Sequence, residues 1–273
     1  MSAWLPAAPC TPGQCVERSR AAAAVPLAVL RLTAVAVLLL AGVAVVLTPL
    51  GRGRPRRWGT VPAVVVRCWC RWIVRAAGVR VRVTGAAPPG GGLLLVANHV
   101  SWLDVPLLAA VRPARMLAKS DIRRWPVAGP IAARGGVLFI ERDRLRALPD
   151  TVATIAKSLR EGAAVAVFPE GSTWCGRAQG RYRRAVFQAA LDAGVPVQPV
   201  RIRYRTEERA VSTVPAFVGE DTLLASLWRV ASARGLMAEV EVRPVIAPDR
   251  HPDRRGLAHA AQGKAPSKSM CAL

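Results

Sequence analysis

A chain of 273 residues that is 52% hydrophobic has room for one domain with a sizeable core plus an anchor, but not for two full domains. Its 39 Lys and Arg against 17 Asp and Glu give a net charge of +22, which favours an anionic partner such as lipid headgroups or a phosphorylated substrate. GC-rich coding is the alternative explanation for part of this excess. Only 5% of the residues are aromatic, too few for a base-stacking surface, so we expect no nucleic acid as a partner.

The first expected element is a membrane anchor. After an N-terminal segment over residues 1–31, residues 32–50 carry no charged side chain, and about 19 apolar residues are enough to cross a hydrocarbon core. Four arginines crowd the C-terminal flank of this stretch: Arg52, Arg54, Arg56 and Arg57. The positive-inside rule therefore predicts a single span with everything after it on the cytoplasmic face. A cleaved signal peptide is the alternative.

The next segment, residues 51–78, is basic and rich in tryptophan. Arg67, Arg71 and Arg75 recur at every fourth position, with Trp69 and Trp72 among them. This spacing predicts a helix in the headgroup layer of an anionic membrane, with guanidinium groups on lipid phosphates and rings at the interface. The alternative is a helix packed on the domain, whose basic edge reaches solvent.

Residues 79–248 have the pattern of an α/β domain. Short apolar runs predict strands, and stretches with one apolar face predict helices over residues 145–159 and 183–193, the second ending at Gly194. Strands that alternate with helices predict a mixed, largely parallel sheet flanked by helices. The predicted strands are Val79–Val83, Leu93–Ala97, Val137–Ile140, Ala163–Phe168 and Val195–Val200.

The C-terminal residues and the cysteines suggest no chemistry. Residues 249–273 are rich in Arg, Ala, Pro, Ser and Lys without an apolar period, so we expect a disordered tail. The six cysteines lack the paired spacing of a zinc site and the density of a disulfide framework, and we expect reduced thiols and no metal. These cysteines are Cys10, Cys15, Cys68, Cys70, Cys175 and Cys271.

His99 is the main catalytic candidate. It lies two residues after the predicted strand Leu93–Ala97, and catalytic groups of open α/β sheets gather at the carboxyl ends of strands. Asp104 lies five residues further on and could orient the imidazole and raise its basicity, as the acid of a hydrolytic triad does. The alternatives are a structural histidine and an ordinary carboxylate in the first turn of a helix.

Two further segments place polar residues at strand ends. Residues 168–173 combine Glu170, a flexible Gly171 and two hydroxyls, a turn that offers amides to an anion and oxygens to a substrate. Arg142 ends the segment 136–142 and could bind phosphate through two hydrogen bonds, although a solvated arginine paired with a nearby carboxylate is the alternative. The sequence has no GxSxG elbow, no GxxxxGK[ST] phosphate loop and no HExxH metal helix.

Together these segments resemble the glycerolipid acyltransferase family, which includes bacterial 1-acylglycerol-3-phosphate acyltransferases. Four ordered blocks are much more specific than any one of them, and the resemblance covers roughly residues 85–202. The matching positions are Asn98, His99 and Asp104 for NHxxxxD, residues 136–142 for GxxFIxR, residues 168–172 for FPEG followed by Ser or Thr, and residues 195–200 for VPxxPV.

The resemblance implies a mechanism. His99 would act as general base on the acceptor hydroxyl and Asp104 would orient it, so that the thioester is attacked directly without an acyl-enzyme. The donor would be acyl-CoA or acyl carrier protein, with no metal or other cofactor, and Arg142 would hold the acceptor phosphate. The implied substrate-binding residues are Asn98, Ser101, Arg142, Glu170, Gly171, Ser172 and Thr173.

The third block departs from the family at Thr173, where Arg is common. The expected reaction is acylation of 1-acylglycerol-3-phosphate to phosphatidic acid in phospholipid synthesis, but another lysolipid acceptor, such as lyso-ornithine lipid, stays open. Arginines further along could instead replace the missing phosphate ligand: Arg177, Arg181, Arg183 or Arg184. The alternative from another class is a non-catalytic, basic membrane-binding or nucleic-acid-binding protein.

Overall fold

The computed structural model describes residues 8–17, 25–47, 62–88, 90–124, 129, 132, 135–141, 144–207 and 210–263. Within these residues, seven strands form one sheet in the order β1-β7-β6-β2-β5-β3-β4. All neighbours are parallel except β6 and β7, so the predicted mixed, largely parallel sheet is confirmed. The strands are β1 (Arg80–Thr84), β2 (Leu93–Ala97), β3 (Arg115–Lys119), β4 (Leu138–Ile140), β5 (Ala164–Val167), β6 (Val197–Arg205) and β7 (Met237–Val242).

Helices flank this sheet on both faces. Some have clear sequence signals at their ends: Gly194 ends one helix in the left-handed conformation at φ 62°, which glycine adopts without strain. In the described part of the chain the α-helices are α1 (Pro12–Cys15), α2 (Val25–Leu47), α3 (Ala63–Ala76), α4 (Asp104–Val111), α5 (Leu148–Arg160), α6 (Ala185–Ala193), α7 (Leu223–Ser232) and α8 (Arg254–Gln262).

Strand β2 is the centre of the core. All five of its residues are buried, as expected for a parallel strand covered on both faces. Its odd-numbered side chains pack with α3, α4 and α7, whereas Leu94 and Val96 pack with α5, α6 and α8. The carboxyl end of β2 therefore emerges at the middle of the sheet, with a helical layer on each side.

The prediction of a disordered tail from residue 249 was wrong for Arg254–Gln262, which forms α8. Asp253 caps this helix by accepting a hydrogen bond from the Gly256 amide at 2.6 Å. Leu257, Ala258 and Ala261 are buried in the core. Sequence reasoning missed the helix because two of these three buried residues are alanines, which give a weak apolar pattern. Residues 264–273 lie outside the described residues.

Helix α2 is the apolar element near the N-terminus. Its stretch Val25–Val45 is, within the described residues, the one helix long and apolar enough to cross a membrane, and little of it is buried by the protein. The helix begins at Val25 rather than at the predicted residue 32, because Arg31 does not end it: the guanidinium donates to the carbonyls of Ala231 and Ala233 at 2.9 and 2.6 Å. The arginines at 52–57 lie outside the described residues.

Helix α3 runs back along α2 toward the domain. Trp69 donates its ring N–H to the Leu38 carbonyl at 2.8 Å, and Gly78, after the end of α3, sits against Arg31. The pair is therefore antiparallel. Val64, Val65 and Trp72 remain largely exposed on α3, so this helix has an uncovered apolar and aromatic surface.

Candidate active site

His99 and Asp104 lie together at the carboxyl end of β2. The His99 Nδ1 atom is 2.9 Å from Asp104 Oδ2, a contact that the five-residue spacing allows. A carboxylate only accepts hydrogen bonds, so this contact assigns the imidazole proton to Nδ1 and leaves the lone pair on Nε2. The His99 ring stacks on Phe168, with 4.0 Å between the ring centres and 12° between the planes. The imidazole is therefore held both in tautomer and in orientation.

Asp104 is fully buried and is held by four hydrogen-bonding partners. Besides His99, its Oδ2 accepts the backbone N–H groups of Val100 at 2.6 Å and Ser101 at 2.8 Å. Its Oδ1 accepts the hydroxyl of Tyr204 at 2.6 Å. Burial, reinforced by the nearby Asp104, raises the pKa of Tyr204 well above its usual value, so this hydroxyl stays a donor. The carboxylate has one fixed position.

Glu170 is the second buried carboxyl group of the site. It accepts the His99 backbone N–H at 2.9 Å and the Gly180 N–H at 3.2 Å. Burial raises the pKa of Glu170 to about 8, although these two backbone hydrogen bonds act in the opposite direction. Glu170 thus joins the loop after β5 to the loop after β2.

Further contacts fix the backbone around His99. Asn98 exchanges hydrogen bonds with the backbone of Ile202, at 2.9 Å through its amide N–H and 2.8 Å through its oxygen. The Trp174 amide donates to the His99 carbonyl at 2.8 Å. Both contacts hold the peptide that carries the imidazole, so His99 sits on a rigid support.

A cavity of about 320 Å³ opens beside His99. Apolar side chains line part of its wall, but four arginines also face it: Arg177, Arg201, Arg203 and Arg205. Burial, together with the charges of Arg203 and Arg243, lowers the pKa of Arg201. The other three arginines pair with carboxylates at 2.8, 3.9 and 2.7 Å, so Arg201 is the cation of this wall that an incoming anion would relieve most.

The other predicted substrate-binding residues fall in different places. Ser101 is completely buried and its hydroxyl accepts the Leu103 amide within the turn. Thr173 donates its hydroxyl to the Phe217 carbonyl. Gly171 adopts φ 76° in the turn between Glu170 and Ser172, and Arg142 lies outside the described residues.

Ser172 instead faces a second, more open cavity of about 890 Å³. Three of the arginines that were considered as replacement phosphate ligands line this cavity: Arg181, Arg183 and Arg184. Arg177, the fourth, lines the cavity of His99. The structure thus divides these arginines between two spaces on either side of Glu170, which borders both.

Sequence reasoning missed Tyr204 and the arginines of β6. Both follow from the alternation along that strand, where Ile202 and Tyr204 are buried on one face and the arginines are half-buried. The predicted strand ended at residue 200, four residues before Tyr204. Among the described residues, one cluster of metal-ligating side chains (His, Cys, Asp or Glu) is compact enough to share an ion. It consists of three cysteines, and His99 is not a member.

Comparisons with known proteins identify the family of this chain. An acyltransferase family model matches residues 79–203. A lyso-ornithine lipid O-acyltransferase of Pseudomonas aeruginosa is 37% identical over 200 residues, which cover 72% of this chain and 75% of the relative. A 1-acyl-sn-glycerol-3-phosphate acyltransferase of Neisseria meningitidis is 33% identical over 188 residues, 68% of this chain and 73% of the relative.

A solved structure shares the fold. The 1-acyl-sn-glycerophosphate acyltransferase PlsC of Thermotoga maritima matches with a TM-score of 0.61 at 18% identity, over 87% of this chain and 91% of that one. Fold, site and relatives together define an enzyme that transfers acyl groups. This chain belongs to the acyltransferase family whose relatives are named for lysolipid acceptors.

Proposed function

We propose that this enzyme transfers a fatty acyl group from acyl-CoA or acyl carrier protein to the free hydroxyl of 1-acylglycerol-3-phosphate, giving phosphatidic acid. The observation that carries the proposal is the oriented pair of His99 and Asp104, with 2.9 Å between Nδ1 and Oδ2, beside a cavity with four arginines. The proposed reaction uses no metal or other cofactor.

In the proposed reaction, His99 acts as general base through Nε2. It removes the proton of the acceptor hydroxyl while the oxygen attacks the thioester carbonyl carbon, and a C–O bond forms. When the tetrahedral intermediate collapses, the C–S bond breaks and the imidazolium returns its proton to the leaving thiolate. Asp104 stabilises the imidazolium and Tyr204 fixes Asp104, whereas Glu170 positions the two loops.

The arginines beside His99 support a phosphate-bearing acceptor. Arg201 and Arg177 line the same cavity as His99, and guanidinium groups bind phosphate through paired hydrogen bonds. Arg142 stays a proposed phosphate ligand from the family resemblance. The remaining proposed substrate-binding residues support the site: the side chains of Asn98, Ser101 and Thr173 hydrogen-bond to backbone groups and hold loops, while Gly171 and Ser172 shape the turn after Glu170.

Lyso-ornithine lipid is the second candidate acceptor. The observation that favours it is Thr173, which stands where the family commonly has Arg and whose hydroxyl donates to the Phe217 carbonyl. The relative at 37% identity is named for this acceptor.

The helices α2 and α3 support a membrane location. The exposed apolar side chains of α2, together with Val64, Val65 and Trp72 of α3, would lie in lipid, and Arg71 and Arg75 would meet anionic headgroups. We propose that α2 is the single anchor and that the catalytic domain is on the cytoplasmic face. Protease digestion of the catalytic domain in intact cells and in opened ones tests the orientation: a domain on the cytoplasmic face is protected until the cells are opened.

An acceptor competition tests the substrate. Purified enzyme is given labelled acyl-CoA or acyl carrier protein together with lysophosphatidate and lyso-ornithine lipid. Arg201→Gln should raise KM for lysophosphatidate about tenfold, the scale of one charged hydrogen bond, while Arg160→Gln on an exposed face of α5 should change nothing. An unchanged KM in Arg201→Gln would remove its phosphate role, and exclusive use of lyso-ornithine lipid would replace the leading acceptor.

A further inference from the structure

Three cysteines that the acyl-transfer reaction does not use come together in the fold. The sulfur atoms of Cys10, Cys15 and Cys175 all lie within 4.8 Å of one another, and all three side chains are buried. Cys10 precedes the single turn of α1 and Cys15 ends it, while Cys175 lies 160 residues further along the chain, in the loop after β5. Their spacing in the sequence gives no sign of this cluster.

The distances between these sulfurs fit a metal site. Around an ion with metal–sulfur bonds of about 2.3 Å, tetrahedral or trigonal geometry separates the sulfurs by roughly 3.8–4.0 Å. Rotation about the cysteine side-chain bonds covers the remaining difference. The cluster offers three sulfur donors, and no described His, Asp or Glu side chain adds a nitrogen or oxygen donor to it. Soft thiolate ligands of this kind select Cu⁺ and Zn²⁺ over hard cations.

The position of the cluster gives such an ion a structural task. The segment 8–17 contains only one helical turn, so its own secondary structure contributes little to holding it in place. It nevertheless reaches the wall of the active-site cavity: Glu17 pairs with Arg177 at 2.8 Å and accepts the Ser212 hydroxyl at 3.2 Å. A metal ion would fasten this segment to the loop of Cys175.

The cluster also adjoins the support of His99. Cys175 directly follows Trp174, whose amide donates to the His99 carbonyl. Arg177, two residues further on, lines the cavity. An ion bound at Cys175 would therefore fix the backbone between Trp174 and Arg177, which both line the cavity. The ion itself would not contact a substrate.

We propose that Cys10, Cys15 and Cys175 form a tris-thiolate site for a thiophilic d10 ion, Zn²⁺ or Cu⁺. Binding releases the thiol protons, and the ion fastens the N-terminal segment to the cavity wall. This departs from the expectation of no metal, which rested on the spacing of the cysteines in the sequence and on the family resemblance.

Metal analysis of the full-length protein tests the proposal. The enzyme is purified without a histidine tag in detergent and under reducing conditions, then offered Zn²⁺ or Cu⁺ in separate samples and desalted. We expect about one tightly held ion per chain for one of the two metals, and the preferred metal identifies the ion. Failure of both metals to remain bound would overturn the site.

Variants and a spectroscopic probe locate the ion. Cys15→Ser should lower the metal content to less than about a tenth of the wild-type value, whereas Cys70→Ser, a buried cysteine of α3 outside the cluster, should leave it unchanged. Cobalt added to the wild-type protein should produce a thiolate-to-cobalt charge-transfer band, which needs no variant to fold. Equal metal content in Cys15→Ser and wild type, or a cobalt spectrum without thiolate bands, would contradict the proposal.

Oxidation is the competing outcome. If mass spectrometry of the untreated enzyme shows a disulfide between two of the three cysteines and reduction restores no metal binding, the cluster is a redox pair instead. Because metal content is measured apart from acyl transfer, this proposal and the proposed function can fail independently.

Discussion

The two loops that leave β2 and β5 each bury a carboxyl group, but they hold it in different ways. Asp104, the first residue of α4, takes two of its hydrogen bonds from amides three and four residues earlier, in the loop after β2. Glu170 takes its backbone hydrogen bonds from His99, 71 positions away, and from Gly180. The first group orients one side chain, and the second joins two loops.

This difference separates orientation from assembly. Asp104 contacts the His99 ring directly, so its proposed effect is on the chemical step. Glu170 contacts only the backbone of His99, so its effect should fall on the stability of the folded site. Substitutions test this difference. An Asp104 variant that loses stability but keeps activity, or a Glu170 variant that loses activity but keeps stability, would contradict it.

Replacing Glu170 gives the largest expected effect, on stability. Its pKa of about 8 in the folded protein lies above the ordinary value of 4.5, so the folded state holds the proton more tightly. Its contribution to stability is therefore fully present below about pH 4.5 and is lost as the pH rises through about 8, by up to about 5 kcal/mol. Glu170→Gln, which stays neutral, should show a flatter profile of unfolding temperature against pH.

Thermal unfolding in detergent between pH 5 and 9 measures this profile. Glu161→Gln, after the end of α5, is the matched control and should keep the wild-type slope. Equal slopes for wild type and Glu170→Gln would show that Glu170 does not bind its proton in the way described.

Replacing Asp104 should act on catalysis. Asp104→Asn keeps the size of the side chain but removes the charge that stabilises the imidazolium, so kcat should fall on the order of 10³-fold, as for loss of a general acid–base function. KM for the acceptor should change little, because Asp104 is buried beneath His99. Asp150→Asn on the exposed first turn of α5 provides the control. A normal kcat in Asp104→Asn would contradict the orienting role.

Removing the hydroxyl of Tyr204 should have a smaller effect. Tyr204→Phe deletes the hydrogen bond to Asp104 Oδ1 at 2.6 Å, and a hydrogen bond to a charged group contributes about 1.5–3 kcal/mol. We expect kcat to fall roughly tenfold or more with little change in KM. Tyr182→Phe, the other buried tyrosine, lies in the opposite core layer and should retain the wild-type kcat. Equal rates in both variants would remove Tyr204 from the positioning of Asp104.

The sequence predicted the parts of the site that depend on local spacing. Strand β2 is a continuous apolar run, so its end and the position of His99 followed directly. Asp104 lies close to that end, so the spacing allowed its contact with His99, and the family resemblance implied it. Both observations rest on a single short segment, in which chain geometry leaves few arrangements.

The parts that depend on distant contacts were not predictable in the same way. Thr173 pairs with the carbonyl of Phe217, which requires knowledge of how two irregular loops meet. Strand β3 was missed because Arg and Lys end its short apolar run, whereas β7, with Met-Ala-Glu-Val-Glu-Val, shows an alternation that could have been read. The cysteine cluster joins segments 160 residues apart, whereas metal sites are recognised in a sequence from short spacings between their ligands.

The most direct test of the central claim is acyl transfer by His99→Ala. Purified wild type, His99→Ala and His259→Ala are supplied with labelled acyl donor and lysolipid, after unfolding curves confirm that all three are folded. The account predicts a loss on the order of 10³-fold or more in His99→Ala and none in His259→Ala, which replaces an exposed residue of α8. Undiminished transfer by folded His99→Ala would contradict the account, because the proton of the acceptor would then leave by another route.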